Sequence, residues 1–190
     1  MICPYFHQHA ETSFPKHMVE QYVDIVANYL RRRASTLIFL GANNGLPELC
    51  LSDLLTSQKG IRIHRVILVD YKVDDQSIQN IIELSRQFPF DVMYLKEPIG
   101  SPNFLSIMKH NSAIIGLNFA PVYNGRSIQD IMTQMSYIRK AFVKIQVLDL
   151  PLLCLNYREE SKDVLVKKDF AKQYLEAMRK KRDESFFTRP

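Results

Sequence analysis

Short apolar runs alternate along this chain with amphipathic segments, and that alternation constrains the fold more than any other feature of the sequence. Continuous apolar runs suit strands buried on both faces, whereas apolar residues spaced three and four apart indicate helices. The predicted strands are 36–40, 65–70, 91–95, 112–117 and 141–147, and the predicted helices are 16–32, 46–58, 76–87, 102–110 and 127–139. Such an order requires a parallel sheet covered on both faces, so we expect an α/β fold with a single Rossmann-like, doubly wound sheet.

The length of 190 residues fits one domain. We expect an N-terminal segment (1–15), a core domain (16–157) and a charged C-terminal helix and tail (158–190), with the helix over 167–182. No stretch approaches the ~20 apolar residues of a membrane-spanning helix, and the first residues have neither a basic nor an apolar region of a secretory signal. These features favour a cytoplasmic protein with no membrane partner.

The cysteines are three and widely spaced, at Cys3, Cys50 and Cys154. An odd, scattered set argues against a disulfide framework and against a CxxC zinc site. Cys3, His7 and His9 could ligate a metal, but two or three ligands in a terminal segment make a poor site. The prediction is therefore no metal.

The formal net charge is +5 and the pI about 9.1, a balance that favours polyanionic partners. Basic residues concentrate in two clusters: Arg31, Arg32 and Arg33, and Arg179, Lys180, Lys181 and Arg182. Either cluster could simply complement the dipole of a helix C-terminus. Together they suggest a phosphate-binding surface, and RNA is the predicted partner.

A glycine loop follows the first predicted strand, in the sequence Leu40-Gly-Ala-Asn-Asn-Gly45. Glycine lets the backbone turn sharply and approach a ligand, and the next helix is expected to offer free N–H groups. A dinucleotide fingerprint has three glycines in this position, whereas this loop has two. The loop could also be a plain strand–helix turn.

Asp70 ends the second predicted strand, 25 positions after Gly45. An acid in this place can accept both hydroxyls of a ribose, although a turn-forming aspartate is the simpler alternative. Loop and acid together predict a nucleoside cofactor. The predicted cofactor-binding residues are Gly41, Ala42, Asn43, Gly45 and Asp70.

This order of elements resembles that of S-adenosylmethionine-dependent methyltransferases. Within that class the chain is similar to the poxvirus cap-specific 2'-O-methyltransferases, a family that also provides the processivity subunit of poly(A) polymerase. Residues 39–45 (FLGANNG) look like the family's Y-I-G-S-A-P-G loop, and residues 66–70 (VILVD) resemble its M-L-I-D strand. Residues 103–109 and 147–158 resemble its helix before strand four and its segment leaving strand five. The resemblance implies a sheet of methyltransferase type, S-adenosylmethionine as cofactor and capped RNA as substrate.

The family's Lys-Asp-Lys-Glu tetrad is degenerate in this chain. Its members correspond to Lys16, Asn118, Asn156 and Glu176. In the family, a lysine with a lowered pKa helps to deprotonate the ribose hydroxyl. Asparagine carries no charge and is no base, so the resemblance implies impaired catalysis, with Lys144 on predicted strand five as an alternative base.

Residues 118–123 (NFAPVY) also resemble the N-P-P-Y motif of amino-methyltransferases, in which the asparagine accepts a hydrogen bond from the target amino group. Phe-Ala replaces the first proline of that motif here, so the match is partial.

Two functions remain open. One is an RNA-directed methyltransferase-like protein of mRNA capping that binds S-adenosylmethionine and RNA. The other is a non-catalytic RNA-binding or scaffold subunit of a viral-type mRNA-processing or replication complex, which would act in the host cytoplasm or the virion and have lost the cofactor.

Overall fold

The computed structural model describes residues 16–30, 34–117, 128–158, 161–166 and Arg179. Within these residues the chain forms one sheet with helices on both faces. No helix in this part of the chain is both long enough and apolar enough to cross a bilayer.

Eleven elements follow one another along the described chain, and all but the last repeat the helix–strand alternation. They are α1 (Lys16–Leu30), β1 (Thr36–Leu40), α2 (Leu46–Lys59), β2 (Arg65–Val69), α3 (Asp75–Ser85), β3 (Asp91–Leu95), α4 (Pro102–Ile107), β4 (Ser112–Leu117), α5 (Ile128–Val147), β5 (Leu152–Arg158) and β6 (Ser161–Val166). The sheet order is β3-β2-β1-β4-β5-β6. The first five strands pair in parallel and β6 pairs antiparallel to β5. The predicted α/β, doubly wound fold is confirmed.

Alternate residues of the central strands enter two separate cores. Leu37 and Phe39 of β1 face a core shared with α1, α2 and α3, whereas Ile38 and Leu40 face a core shared with α4 and α5. Because both faces of each central strand are buried, the strands are continuously apolar, and this is the pattern that made them predictable. The chain reverses its direction of winding between β1 and β4, so the carboxyl end of β1 lies at the switch point where open α/β sheets bind ligands.

The prediction of strand five was wrong. Residues 141–147 continue α5, and β5 is Leu152–Arg158. Ala141 and Ile145 extend the buried helical face of Met135 and Ile138, so the alternating apolar residues of this segment also satisfy the helical period. Lys144 therefore lies in the last turn of α5, near the amino end of β5, and cannot replace a base at the carboxyl edge.

β6 lies in the range for which the sequence predicted a charged helix and tail. Its residues Ser161–Val166 extend the sheet by an antiparallel strand, with Asp163 in register with Asn156. Of the predicted helix 167–182, the structure describes Arg179 alone, as a helical and exposed residue.

Cys50 is completely buried in α2 and takes part in a disulfide. The sulfur of its partner lies outside the described side chains. The sequence argued against a disulfide framework and did not predict this pairing, because the fold, and not spacing in the sequence, decides which cysteines meet.

Candidate cofactor site at the carboxyl edge of the sheet

The loop between β1 and α2 turns through three residues with positive φ. These are Gly41 at 66°, Asn43 at 45° and Gly45 at 71°. The backbone N–H groups of Gly41 and Ala42 both donate to the Val69 carbonyl oxygen, at 2.8 and 3.2 Å. The loop is therefore folded onto the end of the neighbouring strand β2.

Gly45 holds the end of this loop against the sheet. A Cβ atom at Gly45 would lie 2.4 Å from Cδ1 of Leu68, a side chain that is completely buried. The Gly45 N–H donates to the Ala42 carbonyl oxygen at 2.7 Å, closing the turn just before α2 begins. Both the conformation and the close approach require glycine at this position.

Asp70 fastens the loop from the end of β2. Its Oδ2 accepts the backbone N–H of Asn43 at 3.1 Å, and its Oδ1 accepts the backbone N–H of Lys72 at 2.9 Å. A carboxylate oxygen has two lone pairs, so each oxygen retains one for a further donor. Asp70 can therefore order the loop and still accept ligand hydroxyls.

Tyr94, near the end of β3, was not identified from the sequence. Its hydroxyl donates to the backbone carbonyl oxygen of Asn43, so the loop is held from both neighbouring strands. Burial, and then the negative charges of Asp70, Glu48 and Asp74, raise the pKa of Tyr94 above its ordinary value. The hydroxyl thus remains a donor at neutral pH.

Glu48 is a second residue that sequence reasoning missed. It lies in the first turn of α2, is only 3% exposed, and its Oε2 has no hydrogen-bond partner within the described part of the chain. The pKa of Glu48 is raised to about 8, chiefly by burial; a hydrogen bond from its own backbone amide opposes the rise, and the nearby charge of Asp70 adds to it. The raised pKa favours the neutral form of the Glu48 carboxyl group at pH 7.

The N-terminus of α2 does not offer the free N–H groups that the sequence suggested. The Leu46 N–H donates to Oδ1 of Asn44 at 3.3 Å, and Pro47 has no N–H. The Glu48 amide faces its own carboxyl group, and the Leu49 N–H is bonded to the Gly45 carbonyl oxygen at 3.0 Å. A helix start of this kind is a poor phosphate site, because phosphate binding needs several unpaired N–H groups.

The predicted cofactor residues come together at this one edge: Gly41, Ala42, Asn43, Gly45 and Asp70. Their role in binding a cofactor stays a prediction. Such a group of contacts could not be read from spacing alone, because 27 positions separate Asn43 from Asp70 in the sequence.

The side chains of the four predicted catalytic residues are not among those that the structure describes, so their grouping stays a prediction. Lys16 is the first residue of α1, and Asn156 lies on β5, but neither side chain is described. Asn118 and Glu176 lie outside the described residues, as do Arg31–Arg33 and Lys180–Arg182. Arg179 is exposed.

No group of three or more potential metal ligands occurs among the described side chains. Cys3, His7 and His9 lie outside them.

No protein-family model and no curated protein matches this chain. Among solved structures, 16 chains match, including one in the crystal structure of a fibrillarin/Nop5p complex. That match has a TM-score of 0.40 and 14% sequence identity, and it covers 82% of this chain and 68% of the other. Similarity at this level carries no argument about activity, so the fold assignment rests on the sheet order and winding described above.

Proposed function

We propose that this chain binds S-adenosylmethionine at the carboxyl edge of β1 and β2 and acts in the cytoplasm as an RNA-directed methyltransferase-like protein. The observation that carries the proposal is the glycine loop tied to Asp70 at the switch point of the sheet. An acid at the end of β2, with lone pairs to spare, suits the two hydroxyls of a ribose.

The start of α2 supports this cofactor over a dinucleotide. A dinucleotide needs unpaired helix N–H groups for its pyrophosphate. At the start of α2 the Leu46 N–H is already bonded, Pro47 has no N–H, and the Glu48 N–H faces a carboxyl group. S-adenosylmethionine has no phosphate, and its sulfonium carries a positive charge. Asp70, and Glu48 once it ionises, would favour that charge.

Within this proposal each residue has a limited task. Asp70 would accept the ribose hydroxyls, while the Tyr94 hydroxyl and the Val69 carbonyl oxygen keep the loop in its shape. When bound, the cofactor supplies an electrophilic methyl group.

Exposed basic residues at the opposite, amino edge of the sheet support the RNA part of the proposal. His64, Arg65 and Lys109 line a cleft of about 390 Å³ there, and Arg65 pairs with Asp91 at 3.4 Å. Arg86 lines the adjacent cleft. A five-residue strand spans ~17 Å, so phosphates held at this edge would lie that far from the cofactor edge. Such a surface suits anchoring of an RNA strand better than presentation of the methyl acceptor.

A non-catalytic RNA-binding or scaffold subunit is the second candidate. It is favoured by asparagine at positions 118 and 156, where the resembling family has a carboxylate and a lysine. The position of Lys144 on α5 adds to this, because it removes the alternative base. The loss of a general base typically costs ~10²–10⁴-fold in rate, so weak transfer remains compatible with this candidate.

A methyl-transfer assay on capped RNA separates the two candidates. The first predicts incorporation of label from S-adenosylmethionine that is abolished in both Asp70→Ala and Lys16→Ala. The second predicts no incorporation but RNA binding whose affinity falls steeply with salt. Charge reversal at Lys109 and Arg86 should weaken that binding, with Lys59→Glu as the control, since Lys59 pairs with Asp24 away from the clefts. RNA binding insensitive to salt and to these charges would contradict both candidates.

A further inference from the structure

The outward face of α5 carries apolar side chains that remain in solvent. Met132, Val143 and Val147 are 45%, 59% and 76% exposed. They are spaced 11 and 4 residues apart and share one side of the helix, whereas Ile138 and Ile145 on the other side enter the core. Scattered exposed apolar residues are ordinary, but a row of them along one helix is not.

This row belongs to a groove and not to a convex surface. The groove has a volume of about 890 Å³, and Leu105 of α4 and Leu148 line it together with the exposed residues of α5. From Met132 to Val147 the row extends over ~22 Å of helix. A concave apolar channel of that length matches the apolar side of a second helix.

Positive charges border the groove. Arg139, Lys140 and Lys144 line it, and none of its lining residues among the described side chains is acidic. Among the described residues, the ion pairs are Lys59–Asp24, Arg65–Asp91 and Lys96–Asp75, all away from α5. Lys140 lies 5.5 Å from the centre of the Tyr137 ring, and neither of the other two cations is paired within the described chain.

The charges limit what can cover this groove. A second copy packed through the same face would bring Arg139 and Lys144 against their own equivalents. The chain's own C-terminal segment, 167–190, carries eight basic and four acidic residues, so it too has the wrong sign. A flat lipid surface does not fill a channel. We propose that the groove docks an acidic amphipathic helix from a partner protein, independently of any cofactor or RNA.

The test uses the full chain and a labelled synthetic helix of about 18 residues, with leucine at positions i, i+3, i+4 and i+7 and glutamate elsewhere. A matched peptide has lysine in place of every glutamate. We expect the acidic peptide to bind at least about tenfold more tightly in fluorescence anisotropy. Val143→Asp should abolish binding, and the double variant Arg139→Glu, Lys144→Glu should reverse the preference between the peptides. Because all three residues line the surface, thermal melting should stay close to that of the unaltered chain.

Several results would overturn the proposal. Equal binding of the two peptides would mean nonspecific hydrophobic binding, and no binding of either would mean that the groove is not a helix-binding site. A dimer in sedimentation that Val143→Asp dissociates would assign the groove to a second copy. The chain could instead co-sediment with phosphatidylserine vesicles. If Val143→Asp abolished that co-sedimentation and the acidic peptide did not, the groove would be assigned to a membrane.

Discussion

The carboxyl edge of the sheet and the outer groove of α5 differ in how their polar groups are satisfied. At the carboxyl edge, Asp70, Tyr94 and Val69 bind the backbone of one loop, and the charges that gather there are acidic. Along α5, apolar side chains stay exposed beside basic ones, of which Arg139 and Lys144 have no ion-pair partner in the described chain. The first region is internally ordered before any ligand arrives, whereas the second has a surface that another molecule would complete.

This difference predicts in which region a substitution should change the stability of the fold. A residue of the carboxyl edge takes part in hydrogen bonds or close packing within the chain, so a change there has a folding cost as well as a binding cost. The exposed side chains of the α5 groove, Met132, Val143 and Val147, add little buried apolar contact to the folded chain. Four predictions test this difference in stability between the two regions, from the largest expected effect to the smallest.

The strongest effect should come from pH acting on Glu48. Its folded pKa of about 8 lies above its ordinary value of 4.5, so between these values the folded chain keeps a proton that the unfolded chain has released. The free energy of unfolding must therefore fall as pH rises through this window, by up to about 5 kcal/mol at 1.36 kcal/mol per unit. Glu48→Gln should remove this decline in urea unfolding curves measured at several pH values. The exposed Glu83→Gln is the control, and an unchanged pH slope in Glu48→Gln would show that Glu48 is not a buried neutral acid.

Gly45→Val should destabilise the chain by about 2–4 kcal/mol, from the positive φ together with the clash on Leu68. Gly60→Val is the matched control. Gly60 has a φ of 63° at the other end of α2, but a Cβ there meets nothing within 4 Å. It should therefore show the conformational cost alone, about 1–2 kcal/mol. Equal losses in urea unfolding would contradict the close packing of the loop on β2.

Asp70→Asn should lower the free energy of local opening of the loop by about 1–3 kcal/mol, because an amide cannot accept both backbone N–H groups as a carboxylate does. Amide hydrogen exchange should show lost protection at Asn43 and Lys72 and little change in β4. Asp74→Asn serves as the control, since asparagine can equally cap α3 by accepting the Ser77 N–H. Retained protection at Asn43 would mean that Asp70 does not order the loop.

Val147→Thr in the α5 groove should change the free energy of unfolding by no more than about 0.5 kcal/mol, since this side chain is 76% exposed. Two positions earlier, Ile145→Ala should cost about 2–5 kcal/mol, because Ile145 is buried in the core beneath α5. A large loss in Val147→Thr would show that this face is already covered within the chain.

Most of the sheet could be predicted from sequence because buried parallel strands are continuously apolar, as in 36–40 and 112–117. Strand five could not, because residues 141–147 satisfy the helical and the strand periods equally, and only packing against Leu150 and Leu152 decides. β6 was missed because its first half, with Lys162 and Asp163, is polar and only three apolar residues follow, and because its place in the sheet depends on antiparallel pairing with β5, from Arg158↔Ser161 to Leu153↔Val166.

The position of the site could be predicted from the sequence, but only some of the residues that form it could. Gly41 and Asp70 follow the neighbouring strands β1 and β2 directly, so the sheet alone brings them to the same edge. Tyr94 and Glu48 have no such signal. Tyr94 is one of five residues in an ordinary strand, and the burial of Glu48 depends on how α2 packs against the sheet.

The central claim is that the carboxyl edge takes a nucleoside cofactor without phosphate, and titration calorimetry tests it most directly. Unaltered protein and the Asp70→Ala variant would each be titrated with S-adenosylmethionine, S-adenosylhomocysteine and NAD⁺. The account predicts micromolar binding of the two adenosyl ligands, lost in Asp70→Ala, and no binding of NAD⁺. Binding of NAD⁺ in preference, or no adenosyl binding at millimolar ligand, would contradict it.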